Sequence, residues 1–438
     1  MKNRRTLFAV VGLSAVMAFS GQPAAGAADD GGQIVPTIPH VVDAEHPVLK
    51  IGGKVPAELL PGNHSKRKVE TWETLTEKGD VAAGHAGATY KVDLDDYKVD
   101  GTAPRRSLSW DPVNDCRGFL NGQVGVKYVN RFQYCSVKKQ AFYWTDSTGT
   151  ILGTTSYVQT TAGQAPQDRR EVYYMVNLGY FDVQGYYRDI PFPVVGETLG
   201  YAGEDGSNPA CDVVNSSNNP QTLQDWRTNG AAIASIVYDQ DKALGVGRDF
   251  VSRCAIYTVT APDGIKYRDA ATGIRFDSAS YLEGTGGGVF LLALPTMVYD
   301  TASSSHGAVA NHILTAYENP AATTPYVAGK KVPGRTWELP LSRLYEGWDS
   351  AAATQRQKNI TAKNNACAPI RPADPTGLDC DEFPFGSTWE GPAAGSNFSV
   401  RYLDLSQNRS AGASLGNWYA KDRILHRDAF TVEIVTSS

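Results

Sequence analysis

Between about residue 86 and residue 326, short runs rich in Val, Tyr, Phe and Thr recur between turn residues. No other feature of the chain constrains its fold as strongly. The runs include Gln123–Tyr128, Ala141–Thr145, Ile151–Thr160, Arg170–Val176, Cys254–Val259 and Gly288–Leu294. Val124, Val126 and Tyr128 alternate with Gly125 and Lys127, which is the period of a strand with one buried face. Asp263-Gly264 adds a tight-turn signal. The pattern predicts a mainly β region, antiparallel and β-sandwich-like, with helices intruding near 222–240 and 304–316. It does not disclose what that region does.

Three features of the region invite over-reading. Gly284-Thr285-Gly286-Gly287-Gly288 has the look of a phosphate-cradling loop, but no Lys-Ser/Thr follows it and a strand does. It reads as a flexible turn. His306 and His312 are six residues apart, not the four that set two ligands on one helix face, so they read as a capping and a surface histidine. The aromatic pairs at 173–174, 180–181 and 186–187 read as strand residues packing a sandwich.

The chain begins with a charged head (Lys2, Arg4, Arg5) followed by an apolar run from Leu7 to Phe19. Ala25-Gly26-Ala27 offers a cleavage site, so 1–27 reads as a secretory signal peptide and the protein as secreted and extracellular. Arg4-Arg5 ahead of Leu7-Phe8 also fits a twin-arginine signal. No later apolar stretch approaches the roughly 20 residues that span a bilayer, so no stable membrane insertion is expected. Residues 28–85, rich in Pro, Gly and charge and with a basic knot at 66–68, read as a leader or linker. The strand-like patch at 69–75 makes no domain of its own.

Six cysteines, Cys116, Cys135, Cys211, Cys254, Cys367 and Cys380, suit an oxidising compartment. None shows C-x-x-C spacing, and pairing neighbours gives 116–135, 211–254 and 367–380 as structural disulfides. The net charge of −5 argues against a lysine-covered passive binder of nucleic acid. A nucleic-acid enzyme needs only a local basic patch, so that class stays open.

After a Pro- and Gly-punctuated linker at 320–334, residues 331–438 carry twelve Lys/Arg against twelve Asp/Glu and a mixed α+β texture. Short strands are expected at 336–341, 398–405 and 428–435, and helices at 351–363 and 411–419. One stretch stands out, Cys380-Asp381-Glu382-Phe383-Pro384-Phe385 followed by Glu390-Gly391. Adjacent carboxylates repel unless solvent, a shared proton or a cation separates them. Asp, Glu and Asn oxygens with water suit a hard cation such as Mg²⁺ or Mn²⁺. His426 is the last histidine and lies far along the chain from these carboxylates, leaving a carboxylate as the available base.

Pro340-Leu341-Ser342-Arg343, the 380–385 run, Glu390-Gly391, Val400-Arg401-Tyr402, Gln407-Asn408-Arg409 and Gly416-Asn417 occur in the order seen in the NucA/NucB family of secreted bacterial deoxyribonucleases. The chain resembles that family over about 332–438. The resemblance implies a small domain of ββα-metal nuclease type, in which two strands and a helix present one divalent cation, Mg²⁺ or Mn²⁺, to a DNA substrate. It implies Asp381 as general base in place of the usual histidine and Asn408 as the metal-holding amide. Glu382 and Glu390 become metal ligands, direct or through water, Asn417 a second polar group on the helix, and Arg409 a phosphate contact. Nine residues is two and a half helical turns, so Asn408 and Asn417 converge only if Asn408 precedes the helix. Arg343 reads as a surface ion pair or a phosphate contact.

Two other readings stay open. A glycoside hydrolase would use Asp381 or Glu382 with Glu390 as its carboxylate pair. A secreted β-sandwich binding protein would need no catalytic group. Protein partners are not legible.

Overall fold

The computed structural model describes residues 50–54, 88–97, 112–146, 148–185, 188, 194–201, 212–215, 226–227, 232–238, 252–262, 267–282 and 286–436. The expected signal peptide, the patch at 69–75, the Asp263-Gly264 turn and the 211–254 pairing lie outside them.

In chain order, β1 (Ala88–Asp93) runs into a 3-10 turn at Leu94–Tyr97. Helix α1 (Pro112–Phe119) precedes the long strands β2 (Gly125–Asn130), β3 (Gln133–Thr145), β4 (Ile151–Gln164) and β5 (Glu171–Gly185). Then come β6 (Val194–Tyr201), β7 (Asp212–Asn215), β8 (Ala232–Tyr238), β9 (Ser252–Pro262) and β10 (Tyr267–Asp277). Strands β11 (Gly287–Phe290) and β12 (Ala293–Asp300) lead to helix α2 (Gly307–Glu318). The C-terminal part holds β13 (Leu341–Ser342), α3 (Ser350–Cys367), β14 (Leu378–Phe383), β15 (Ser399–Asp404), α4 (Leu405–Lys421) and β16 (Ala429–Val435).

The expectation of a mainly β, antiparallel N-terminal region holds. Among the described residues, one antiparallel sheet has the order β2-β3-β4-β5-β8-β7 and a second the order β11-β10-β9-β6. Phe290 of the second sheet packs among Tyr128, Tyr134 and Tyr174 of the first, with ring centroids 5.6–6.2 Å apart. Gly163 makes this approach possible, since a Cβ there would lie 2.8 Å from the Phe290 ring. The helix expected near 222–240 is corrected over 232–238. There Ser235 and Val237 are buried while Ala234 and Ile236 face out, a period of two, and the segment pairs with β5 as a strand.

A third sheet, ordered β1-β12-β16-β13, was not foreseen. Strands β1, β12 and β16 run parallel, and β13 is antiparallel to β16. It therefore joins residues before position 326 to the last strand of the chain, inside one compact unit that spans 36–438. Parallel neighbours need a long crossover, and here everything from α2 to α4 forms it.

Buried charges fasten the same two regions together. Arg131 Nη1 donates to Asp428 Oδ2 at 3.0 Å and to the carbonyls of Asp422 and Arg423 at 3.2 and 2.9 Å. Arg275 Nη1 donates to Asp428 Oδ1 at 2.7 Å, and its Nη2 to the Arg423 carbonyl at 2.7 Å. Arg423 Nε in turn reaches both oxygens of Asp277 at 3.1 Å. The glycine run expected to be a flexible turn serves this lock. Gly287 lies in β11, and a Cβ on it would sit 2.5 Å from Arg423 Nε.

Burial alone would raise the Asp428 carboxyl, but the Arg275 and Arg131 guanidiniums outweigh it and hold the pKa at about 2. The folded value is below the unfolded one, so the contribution is complete above the unfolded pKa near 4 and is lost as pH falls toward 2. It amounts to about 2 kcal/mol. Urea unfolding followed between pH 5 and pH 2 should accordingly show a flatter decline for Asp428→Asn than for the wild type; parallel declines would remove Asp428 from the account.

Cys116 and Cys135 correct another expectation. They pack together against Ala162, where contact with Cys116 and burial raise the Cys135 thiol, yet both stand as free thiols. The 367–380 pair is a disulfide, as expected. Among the described residues no helix is long and apolar enough to cross a membrane.

Candidate active site

Strands β14 and β15 pair antiparallel, and α4 follows β15 without a break. Register places Asp381 opposite Arg401 and Phe383 opposite Ser399. Successive side chains on a strand point to opposite faces. Asp379, Asp381 and Phe383 therefore share one face with Ser399, Arg401 and Leu403, while Cys380 and Glu382 share the other with Val400 and Tyr402.

This separation corrects the premise that the adjacent carboxylates Asp381 and Glu382 serve one cation. Glu382 turns toward α3, where its Oε2 lies 3.3 Å from Lys363 Nζ and its Oε1 accepts from the Gly386 N–H at 3.1 Å. Burial pushes its carboxyl up, with Lys363 pulling against that. Next to it, the Cys367–Cys380 disulfide ties the end of α3 to β14 with Cα atoms 6.3 Å apart. A loop of this size stabilises by about 3 kcal/mol in the chain-entropy model. Fully buried Asn359 on α3 donates to the carbonyls of Gly386 and Thr388, both at 3.0 Å, and accepts from Ala393 N–H at 3.0 Å. The turn after the acidic run is thereby fixed.

Asp381 faces the other way and is only 6% exposed. Its Oδ2 lies 2.7 Å from Nδ1 of His312 on α2, and His312 Nε2 lies 2.8 Å from Ser399 Oγ. An ionised carboxylate can only accept, so Nδ1–H donates to Asp381, while the Ser399 hydroxyl can either donate to Nε2 or accept from Nε2–H. The other oxygen, Oδ1, makes no hydrogen bond among the described residues.

His312 is thus not the surface histidine that its spacing implied; it is 1% exposed. The signal that could have found it is the stripe Val309, His312, Ile313 and Ala316, with the three- and four-residue steps of a buried helix face. A histidine on such a stripe requires a polar partner. His306 does occupy the N-cap position of α2, but its ring accepts from the Asp300 N–H at 3.1 Å and meets Asp95 at 3.0 Å.

Helix α4 begins six residues earlier than expected. Asp404 caps it by accepting from the Gln407 N–H at 2.9 Å, and Asp404-Leu405-Ser406-Gln407 has the spacing of a capping box. The Gln407 side chain is used elsewhere, its Oε1 accepting from the Ala308 N–H at 2.7 Å and pinning the start of α2 to α4. Asn408 lies inside the helix on the stripe with buried Ala411 and Leu415, half-buried itself and without a hydrogen bond among the described residues.

Asn417 lies half a turn round α4 from Asn408 and donates to the Tyr97 carbonyl at 2.9 Å. The structure does not bring it to Asp381. Both oxygens of Glu390 accept from Ser342, through N–H at 2.7 Å and Oγ at 2.6 Å. Arg343 is buried rather than at the surface, its guanidinium lying 4.7–5.7 Å from the ring centres of Tyr281, Tyr345 and Tyr419. Arg409 remains exposed, 72% by side chain, with only a loose 3.8 Å approach to Asp379. His426 stacks on Trp348 and accepts from the Tyr345 N–H, and burial holds its pKa down at about 4.

This geometry comprises two antiparallel strands, a helix, one oriented carboxylate, a helical amide and an exposed arginine. Residues 339–433 match the family model for deoxyribonuclease NucA/NucB. No curated protein matches the chain, and no solved structure does. The NucA/NucB segment contains β13 to α4 and most of β16, and therefore Asp381, Asn408 and Arg409. Deoxyribonuclease activity, with DNA as substrate, is what the family implies. His312 stands outside the NucA/NucB segment, 27 residues before it.

NucA/NucB nucleases are generally dependent on a divalent metal. Among the described residues no three His, Cys, Asp or Glu side chains converge on a cation. Of the residues expected to serve a cation, the Asn408 amide and the second oxygen of Asp381 make no side-chain hydrogen bond among the described residues. Such a sparse set of oxygens still fits Mg²⁺ or Mn²⁺, since Mg²⁺ keeps several waters and takes further ligands from substrate phosphates.

Proposed function

We propose that this protein is a secreted, metal-dependent endonuclease that hydrolyses DNA phosphodiester bonds on the Asp381 face of the β14-β15-α4 unit, a ββα-metal arrangement. The observation that carries this reading is Asp381 itself. It sits inside the NucA/NucB segment, is held through one oxygen and offers the other. In the reaction Asp381 Oδ1 takes the proton of the attacking water. Arg409, and Arg401 directly across from Asp381, lie exposed where they can pair with non-bridging phosphate oxygens. The Asn408 amide oxygen would hold the cation, which supplies charge stabilisation at the phosphoryl group and the leaving oxygen. Glu382, Glu390 and Asn417 have scaffold roles in this scheme.

The glycoside hydrolase alternative loses its support. It pairs Asp381 or Glu382 with Glu390, whose oxygens both accept from Ser342, and the family match over 339–433 favours the nuclease. In a gel containing DNA, the full chain should give a cleared band that disappears in EDTA and returns with Mg²⁺ or Mn²⁺. A band indifferent to EDTA would refute the metal, and no band under any of these conditions would refute the nuclease.

A further inference from the structure

We infer that His312, which lies on α2 outside the NucA/NucB segment, is a positioning residue for Asp381, so that the catalytic constellation is completed by the preceding region of the chain. The inference rests on the nuclease reading and adds a part that the reading does not contain.

His312 cannot itself meet DNA. Its ring is 1% exposed, and both nitrogens are engaged, Nδ1 with Asp381 Oδ2 and Nε2 with Ser399 Oγ. What it can do is stop rotation of the Asp381 carboxylate about its last bond. One oxygen is tethered, and the orientation of the other, which has no hydrogen bond among the described residues, is thereby fixed. Ser399 Oγ, 2.8 Å from Nε2, holds the far side of the ring, and a hydroxyl donating there is compatible with the Nδ1–H tautomer that Asp381 requires. The ring is anchored in turn by the placement of α2. Gln407 holds the Ala308 N–H, His306 holds the Asp300 N–H, and Val309, Ile313 and Ala316 are buried. The His312–Asp381 contact is the link that reaches the strand bearing the base, and the others hold α2 in place behind it.

Misplacing a reacting group by about 1 Å can cost about 100-fold in rate, and losing the tether permits a displacement of that order. Steady-state cleavage of duplex DNA by the full chain should show His312→Ala lowered at least tenfold in kcat, with KM within about twofold of wild type. The decisive comparison is His312→Asn against His312→Gln. An asparagine amide N–H occupies the place of Nδ1 and can still tether Asp381, whereas glutamine places its amide near Nε2. The Asn variant should exceed the Gln variant in kcat by about tenfold at matched thermal stability. Equal kcat in the two, a folded His312→Ala with wild-type kcat, or failure of all three to fold would overturn the positioning role. Asp381→Asn run alongside separates the two levels of the argument. If it is inactive while the His312 variants are normal, only this inference falls; if it is as active as the wild type, the nuclease site falls with it.

Discussion

Asp381→Asn should lower DNA cleavage by about 100- to 10,000-fold, the range that a positioned general base contributes, while leaving the fold intact. The substitution is nearly isosteric, and the amide oxygen can still accept from His312 Nδ1 across the present 2.7 Å contact. The tether survives and the basicity does not, which makes the variant a test of chemistry rather than of packing. Glu382→Gln, one residue along, provides the contrast. Its carboxylate lies on the α3 side of β14 against Lys363, so its loss should reach the reaction only indirectly and cost at least tenfold less. Cleavage rates from single-turnover assays, with circular dichroism as the control for folding, decide the matter. If Glu382→Gln were the more damaging change, the active face would be the opposite one.

Asp277→Ala should cost about 3–5 kcal/mol of stability, the usual penalty for removing one partner of a buried ion pair. Asp277 is fully buried and Arg423 is 1% exposed. The guanidinium would keep its desolvation cost while losing the carboxylate that offsets it. Such a loss is a large share of a total stability of about 5–15 kcal/mol. An exposed pair offers the control. Asp168 and Arg169, with side chains 70% and 51% exposed, should tolerate Asp168→Ala with little change in the midpoint. Urea midpoints for the two variants measure the difference, and similar midpoints would mean that Arg423 is satisfied without Asp277.

Local signals carried much of this architecture. The runs at 151–160 and 170–176 were visible because buried and less buried residues alternate along β4 and β5, whereas Val124 and Val126, whose alternation suggested a buried face, are exposed. Helix α3 was legible as an uninterrupted polar run without Gly or Pro, strand β16 as a short β-rich run, and the Asp381 and Asn408 blocks through their family order. Non-local contacts were the obscure part. Adjacent carboxylates look like one site in a linear text, and only strand geometry sends Glu382 to α3 and Asp381 to α2. The start of α4 was missed because Ser406-Gln407-Asn408 looks like loop unless the Asp404 cap is noticed. Arg423 and Asp277 are 146 positions apart, a pairing for which neither residue carries a local mark. The six-residue spacing of His306 and His312 carries no information on burial, whereas the apolar residues at 309, 313 and 316 place His312 indoors.

The parallel pairing of β12 with β16 has a practical corollary for anyone cutting the gene at the family boundary. A fragment beginning near 331 keeps β16 but loses β12, and the backbone groups of Thr431–Val435 that β12 satisfies in the whole chain would lie bare along a hydrophobic strand. Bare strands of that kind recruit one another into aggregates. A fragment meant to keep β16 paired should therefore start upstream of β12, well ahead of residue 339 where the family match begins.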